Sequence, residues 1–319
     1  MMKRVLQALV LLMLPAVLPA RTQVVIERVD PPSWFTGMKN DALQLMVYGK
    51  GIGEFDVKTD YPGVEVKTLI RTENPDYLFV NLNISDEAAP GTVTLTFTRG
   101  KQKLTHSYPL LARPAGPARG FNSSDVIYLL MPDRFANGDT SNDNVAGMTE
   151  QIDRGNPGGR HGGDLKGITD HLDYLHKLGV TGIWLNPFLE NNQQHSSYHG
   201  YSTTDFYKSD LRYGSNDEFK NLVTEAHKRG MKVVMDMIFN HIGSFHWWMK
   251  DLPSKDWIHQ FDEFTRTNYR ASTYMDPYAA ASDRTLMEKG WFDMTMPDLN
   301  QSNPLVETYL IQTSLWWIA

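Results

Sequence analysis

One segment, MKVVMDMIFNH at residues 231–241, constrains the fold of this 319-residue chain more than any other. It is apolar apart from Lys232 and Asp236 until it reaches Asn240 and His241. Such a run is typical of a parallel strand covered on both faces, where alternation of polar and apolar side chains is not needed. Polar residues at the carboxyl end of such a strand lie where α/β barrels handle substrate. The segment predicts a buried strand with functional residues at its end. The alternative is that Asp236 only caps a loop and His241 only fills a gap in the packing.

The segments before this run alternate between helix and strand patterns. They predict strands at 126–130 and 182–185 and helices at 167–178 and 215–229. Ser215 and Glu218 have the spacing of a capping box. The helix at 167–178 is predicted to place one apolar face, which includes Leu175 and Leu178, against the core. Helix and strand in regular succession predict three β/α units of a parallel sheet or barrel.

Residues 21–113 show a different pattern, in which short runs of alternating polar and apolar residues are divided by Gly, Pro and Asn. This spacing predicts an all-β sandwich, immunoglobulin-like in architecture. Residues 114–124, which include two Pro and two Gly, predict a linker. Trp34 is either an exposed stacking surface or a core residue, and the core is the interpretation we favour.

Composition narrows the function classes. The chain has 31 Lys and Arg against 37 Asp and Glu, without a basic run. This disfavours nucleic-acid binding, which requires a positively charged surface, and it suits a neutral ligand such as a glucan. The chain contains no cysteine, so it has neither disulfides nor a lipidated cysteine. Its length predicts two domains.

The first 20 residues predict a secretory signal peptide. Lys3 and Arg4 precede an apolar run at 5–18 that ends in small residues near Ala20. The run is too short to span a membrane comfortably, and an uncleaved anchor is the alternative. We therefore expect an exported protein, periplasmic or secreted, with no stable membrane span after the leader is removed.

Four motifs resemble those of the alpha-amylase superfamily, glycoside hydrolase family 13, and occur in the family's order. They are the second-strand motif at 179–187, YHGY at 198–201, DMIFNH at 236–241 and MPDLN at 296–300. The last motif and the leading β-domain are similar to the neopullulanase and cyclomaltodextrinase branch. The resemblance implies a β-sandwich followed by the first three β/α units of a TIM (β/α)8 barrel at 125–319, with a B domain inserted at about 242–303.

The resemblance also implies residue roles in an α-glucan site. Tyr201 would be the platform under the sugar at the cleavage point, and His199 and His241 would contact that sugar. Asp236 would be a structural carboxylate that orders the site. Tyr and His suit such a pocket, because apolar sugar faces need a flat aromatic partner and hydroxyls need donors and acceptors. We expect some aromatic residues of the inserted segment to face glucan and most of them to pack.

Residues 132–144, with a Gly-Gly-Asp turn at 162–164, resemble the calcium loop of cyclodextrin-forming members of the family. The ligands that this resemblance implies are Asn137, Asp139, Asn142, Asp143, the Gly162 carbonyl and Asp164. Ca²⁺ takes ~6 to 8 oxygen ligands from carboxylates, amides and carbonyls, and this loop supplies such groups. An ordinary polar turn held by Asx hydrogen bonds is the alternative.

The two catalytic carboxyls of the family have no counterpart in this chain. A retaining glycosidase needs a nucleophile and an acid, and the family places its Asp and Glu on the fourth and fifth strands. We therefore expect both beyond Ala319, in a longer protein that hydrolyses α-glucosidic bonds in cyclodextrin, pullulan or maltooligosaccharides. The 319 residues alone are expected to be an inactive N-terminal fragment. The alternative to a hydrolase is a non-catalytic glucan-binding protein of the same fold.

The resemblance of the N-terminal domain also implies a possible partner, a second copy of the chain bound through this domain as a homodimer.

Overall fold

The computed structural model describes residues 24–114 and 120–319; the predicted leader and residues 115–119 of the predicted linker lie outside this part of the chain. The strands are β1 (Arg28–Asp30), β2 (Trp34–Thr36), β3 (Ala42–Tyr48), β4 (Asp56–Lys58), β5 (Val64–Arg71), β6 (Tyr77–Ile84), β7 (Gly91–Arg99), β8 (Gln102–Ala112), β9 (Ile127–Leu130), β10 (Gly182–Leu185), β11 (Leu189–Glu190), β12 (Asp205–Ser209) and β13 (Lys232–Met235). The α-helices are α1 (Pro132–Phe135), α2 (Leu165–Asp170), α3 (Leu172–Lys177), α4 (Asn216–Lys228), α5 (Ala281–Lys289) and α6 (Pro304–Ile318). Among these residues, no helix is both long and apolar enough to cross a bilayer.

The N-terminal strands form two four-stranded sheets that share one core. Their strand orders are β1-β3-β6-β5 and β2-β8-β7-β4. Side chains from both sheets, such as Leu45, Val80 and Phe97, are fully buried together, because alternate residues of a strand point to the same face. Trp34 is 2% exposed and belongs to this core. The prediction of a β-sandwich is confirmed.

Three parallel strands position the site. β10 lies in the middle and pairs with β9 on one side and β13 on the other, with Gly182 opposite both Ile127 and Lys232. All three strands therefore end at the same edge of the sheet. The capping box predicted for Ser215 and Glu218 is present at the start of α4. The prediction of three successive β/α units is confirmed.

The helix predicted at 167–178 is divided into two short helices, α2 and α3. The break is at His171, whose backbone N–H donates to the Ile168 carbonyl at 3.1 Å in a tighter turn, while its ring Nδ1 lies 2.7 Å from the Gly167 carbonyl oxygen. Leu178 follows α3 and is 58% exposed. The expectation that Leu178 faces the core was therefore wrong, because the helix has ended before this residue.

The strand predicted at 231–241 is shorter than its apolar run. Only β13 belongs to the parallel sheet, because residues 240–242 pair with 297–299 instead. The Leu299 N–H donates to the Asn240 carbonyl at 2.9 Å, and the Ile242 N–H donates to the Pro297 carbonyl at 3.1 Å. This second pairing draws the end of the run toward the inserted segment.

Arg28 of β1 joins the N-terminal sandwich to the rest of the chain. Its guanidinium donates to both carboxylate oxygens of Asp205, at 2.7 and 2.8 Å, and its Nε donates to Asp30 at 2.8 Å. Tyr309 of α6 donates to the same Asp30 carboxylate at 2.9 Å, and the Trp247 ring covers the guanidinium at 4.8 Å. Burial opposes ionisation of Asp205, yet the hydrogen bonds from Arg28 lower its pKa to about 2. The junction is therefore an ion pair that is largely removed from water.

Arg28→Ala should lower the free energy of unfolding by about 3–5 kcal/mol, because two buried carboxylates would be left without their cation. Urea denaturation measures this change. Lys67→Ala is the control, since its ion pair with Glu65 is half exposed and surface pairs contribute little. Wild-type stability in the Arg28 variant would mean that the junction does not depend on this pair.

Candidate functional site

The four sugar-site residues predicted from the sequence lie together where the parallel strands end. The rings of His199 and Tyr201 have centroids 5.8 Å apart. His241 Nε2 lies 2.9 Å from the Tyr201 carbonyl oxygen, and the Tyr201 hydroxyl donates to Asp236 at 3.2 Å. His199, Tyr201 and His241 line one cavity of about 780 Å³. Asp236 lies behind Tyr201 and also accepts a hydrogen bond from the Trp184 indole at 3.2 Å.

A glycine turn sets the relation of His199 to Tyr201. Gly200 between them has φ +81°, and a Cβ at this position would lie 1.8 Å from the Pro187 carbonyl oxygen. Only glycine fits so close to another backbone segment. The Tyr201 N–H donates to His199 Nδ1 at 2.9 Å. The neutral His199 ring therefore carries its proton on Nε2.

Glu150 holds the turn that precedes His199, a role for which the sequence offered no signal. Its carboxylate accepts from the backbone N–H groups of Ser196 and Ser197, at 3.0 and 2.6 Å. Ser196 has φ +57°, a left-handed conformation that non-glycine residues rarely adopt. Such a backbone persists only where its surroundings hold it. Glu150 therefore pre-forms the loop that presents His199.

His241 is fixed by side chains from two motifs that are distant in sequence. The Asn240 amide donates to His241 Nδ1 at 3.3 Å and to Asp298 at 3.1 Å. The other carboxylate oxygen of Asp298 lies 2.7 Å from His259 Nδ1. Because the Tyr201 carbonyl can only accept, the neutral His241 ring carries its proton on Nε2. The network fixes both the orientation and the tautomer of His241.

Burial sets the charge of the site. It lowers the pKa of both His199 and His241 from the usual 6.5. Burial also raises the pKa of the Tyr201 hydroxyl, and the neighbouring Asp236 raises it further. At neutral pH the rings of His199, Tyr201 and His241 are therefore uncharged. Such a lining suits a neutral, hydroxyl-rich ligand.

Another part of the cavity lining is aromatic and comes from the inserted segment. The Phe292 ring stacks on His241 at 5.2 Å and 25°, and the Tyr269 ring meets Phe292 edge-on at 5.3 Å. The sequence indicated an aromatic-rich insertion but not which members face the cavity. Trp248 and Trp257 of the same segment are fully buried, as expected for packing residues.

The six residues predicted to bind calcium form one cluster. The Asn137 amide donates to Asp143 at 2.7 Å, and the Asn142 amide donates to Asp164 at 3.2 Å. The Gly162 backbone approaches so closely that a Cβ there would lie 2.3 Å from an Asp143 carboxylate oxygen. Asp139 adjoins the group, and its backbone N–H donates to Asp164 at 2.9 Å.

The cluster contains a buried side-chain oxygen without a hydrogen-bond partner. Asn142 Oδ1 is buried and receives no hydrogen bond from the residues that the structure describes. Within residues 24–114 and 120–319, no three His, Cys, Asp or Glu side chains converge as metal ligands. The fit to a hard cation therefore depends on amide and carbonyl oxygens as much as on carboxylates.

Two family models match the chain. The model described as alpha amylase, catalytic domain, covers residues 129–319, which is more than half of the chain. The chain belongs to the alpha-amylase family. The N-terminal domain model of cyclomaltodextrinase covers residues 28–114. The resemblance to the neopullulanase and cyclomaltodextrinase branch is thereby confirmed.

Individual members of the alpha-amylase family are similar over about 60% of this chain. Neopullulanase 2 of Thermoactinomyces vulgaris is 35% identical over an alignment of 208 positions, and the match covers 60% of this chain and 32% of that protein. The intracellular maltogenic amylase of Bacillus subtilis is 38% identical over 199 residues, 61% of this chain and 31% of that protein. A solved Anoxybacillus alpha-amylase is 41% identical with a TM-score of 0.51, over 61% of this chain and 38% of that one. The chain spans about a third of the length of the curated relatives it matches.

His241→Gln should make the free energy of unfolding less dependent on pH between about 7 and 5. The pKa of His241 is lower in the folded protein than in the unfolded chain, so the unfolded chain takes up the proton first as pH falls. The stability that the neutral ring contributes is therefore fully present above pH 6.5 and is lost at lower pH. Gln does not titrate, and its amide can still donate to the Tyr201 carbonyl. Urea unfolding of both proteins across this range tests the prediction, and parallel curves would contradict it.

Proposed function

We propose that the protein hydrolyses α-glucosidic bonds in α-1,4-glucans, such as cyclodextrin, pullulan or maltooligosaccharides, with retention of anomeric configuration. The convergence of His199, Tyr201 and His241 on one cavity, at the carboxyl edge of a parallel sheet, carries this proposal. The relatives named neopullulanase, maltogenic amylase and cyclomaltodextrinase support the substrate class. Transglycosylation is a close variant of the same chemistry.

Each predicted residue has a binding or positioning role in this proposal. Tyr201 offers a flat face to the apolar side of a glucose ring, and its hydroxyl is anchored by Asp236. His199 accepts a hydrogen bond at Nδ1, so its Nε2 proton is available to a sugar hydroxyl. His241 Nε2 already donates to the Tyr201 carbonyl, and a sugar hydroxyl would share this proton.

We assign the nucleophile and the acid to the part of the protein that follows Ala319. Asp205, Asp236 and Asp298 each accept hydrogen bonds from neighbouring side chains, and none of the three lines the cavity that His199, Tyr201 and His241 share. Retention requires two carboxyls that flank the scissile bond. We propose an Asp in a Gly-x-Arg-x-Asp motif on a fourth strand and a Glu on a fifth. The matched relatives are about three times longer than the matched stretch, which supports this assignment.

The full-length protein should cleave cyclodextrin or pullulan and release the α-anomer first, which proton NMR of the fresh product detects. Tyr201→Ala should lower kcat/KM by roughly tenfold, because the sugar loses its aromatic platform. Tyr174→Ala is the matched control, since this tyrosine is 58% exposed on α3 and does not line the cavity. Binding of glucan without turnover would favour the non-catalytic alternative, and absence of both would contradict the proposal.

We further propose that the loop cluster binds calcium. The ligands would be the side chains of Asn137, Asp139, Asn142, Asp143 and Asp164 and the Gly162 carbonyl. The unpartnered Asn142 oxygen and the close approach of Gly162 to Asp143 support this assignment. Bound calcium would offset the mutual repulsion of the acidic side chains and connect α1 to α2. Its role in this proposal is structural.

Chelation with EDTA should lower the melting temperature of the purified protein, because an ion that binds only the folded state stabilises it. Asp143→Asn should melt at a lower temperature and should no longer respond to EDTA. Asp170→Asn is the control, because its carboxylate pairs with Lys166 on the surface. Calcium binding would be contradicted if the purified protein contained no metal and its melting temperature were the same with and without EDTA.

We also infer that the protein is exported, to the periplasm or the medium, and that it can dimerise through its N-terminal domain. The leader pattern at residues 1–20 supports export. The match of residues 28–114 to a cyclomaltodextrinase N-terminal domain is the observation on which the proposal of a dimer rests.

A further inference from the structure

The turn at residues 196–199 carries His199 into the cavity lining, and it contains a residue in an unfavourable backbone conformation. Ser196 begins the turn with φ +57°, and the short 3-10 helix Ser197–His199 follows. A left-handed serine is disfavoured by its own side chain and persists only where other groups hold it. The position of the His199 ring therefore depends on the groups that hold this turn.

Glu150 reaches the turn from a distant part of the chain. Its Oε1 accepts from the Ser196 N–H at 3.0 Å, and its Oε2 accepts from the Ser197 N–H at 2.6 Å and from the Ser197 hydroxyl at 2.5 Å. Hydrogen bonds to an ionised acceptor are stronger than those between neutral groups. One carboxylate thus binds the left-handed residue and the residue after it.

The backbone that carries Glu150 is itself anchored. The Arg212 guanidinium donates to the Glu150 carbonyl at 2.8 Å and pairs with Asp210 at 2.7 Å, and both of these charged side chains are fully buried. One residue before Glu150, the Thr149 N–H donates to the side-chain oxygen of Asn192 at 2.7 Å. The segment around Glu150 is therefore fixed to the loop that leads into the turn.

The far end of the turn is held by separate contacts. The Tyr213 hydroxyl donates to the Tyr198 carbonyl at 2.7 Å, and the Arg134 guanidinium lies over the Tyr198 ring at 4.1 Å. Neither contact involves Glu150. Removal of the Glu150 carboxylate would therefore release the start of the turn and shift His199, while the rest of the loop stays in place.

We propose that Glu150 is a positioning residue for glucan hydrolysis, which acts on the substrate through His199. The inference rests on the proposed function, because it assigns His199 to a contact with the sugar that is cleaved. Glu150 does not line the cavity, so it does not touch that sugar itself. Its carboxylate fixes the turn before the substrate arrives. A contact group that is already in place loses less entropy when the substrate binds.

Glu150→Ala in the full-length protein should lower kcat/KM for cyclodextrin by roughly tenfold, because a small displacement of a positioned group lowers the rate. Glu150→Gln should cause a smaller loss, since its amide oxygen can accept from Ser197 while its NH2 group cannot accept from Ser196. Asp153→Ala is the matched control, because this carboxylate lies in the same segment and is exposed. The control should behave as wild type.

A double-mutant cycle with His199→Ala separates positioning from a general contribution to stability. In the His199→Ala background, either Glu150 variant should change kcat/KM by less than about twofold, because the group that Glu150 positions is already absent. Losses that multiply in the double variant would show that Glu150 does not act through His199, and they would overturn the proposal. Glu150→Gln has the same shape as the wild-type side chain, so it provides this comparison even where Glu150→Ala does not fold.

Full activity of the Glu150→Gln and Glu150→Ala variants would also overturn the positioning role, while glucan hydrolysis would stand. A wild-type protein that cleaves neither cyclodextrin nor pullulan would overturn the proposed function, and this inference with it.

Discussion

The parallel pairing of β9, β10 and β13 is the constraint on which the arrangement of the site depends. Parallel strands in register end at the same edge, so the chain that leaves β10 and the chain that leaves β13 emerge side by side. The first carries His199 and Tyr201, and the second carries Asp236 and His241. An antiparallel β13 would place its last residues at the opposite edge, about four residues or ~13 Å away. Side chains that are 40 residues apart in sequence meet for this reason.

The N-terminal sandwich supports the loop that carries the predicted sugar contacts. Arg28 of β1 binds Asp205, and Asp205 begins the strand that directly follows the His199–Tyr201 turn. Removing both charges from water has a large cost, which the bidentate geometry and the Trp247 ring offset. The ion pair therefore positions two domains relative to each other more than it adds net stability. It also connects residues 28 and 205, which no local pattern relates.

Sequence patterns predicted the elements that depend on neighbouring residues. The capping box at Ser215, the alternation in the sandwich strands and the buried Trp34 are all present. One error arose where a distant contact overrode a local preference, and the other where a tighter turn divided a helix. The apolar run after Met235 leaves the sheet because residues 297–299 pair with it, and the predicted helix at 167–178 breaks at His171. The first event has no signal within a window of a few residues, whereas the second arises from contacts of His171 with Ile168 and Gly167 in the preceding turn.

The sequence by itself determined the β/α alternation, because this follows from the order and spacing of apolar and polar side chains. It also indicated the family and the residues that face the cavity, through four motifs that resemble those of the family. Only the tertiary structure decided that Glu150 braces the turn before His199 and that Asp298 orients His241 through Asn240. It alone selected Tyr269 and Phe292 from an aromatic-rich segment. The reason is that hydrogen bonds and ring contacts act between residues that the fold brings together, whereas a sequence pattern reports only on residues that are close along the chain.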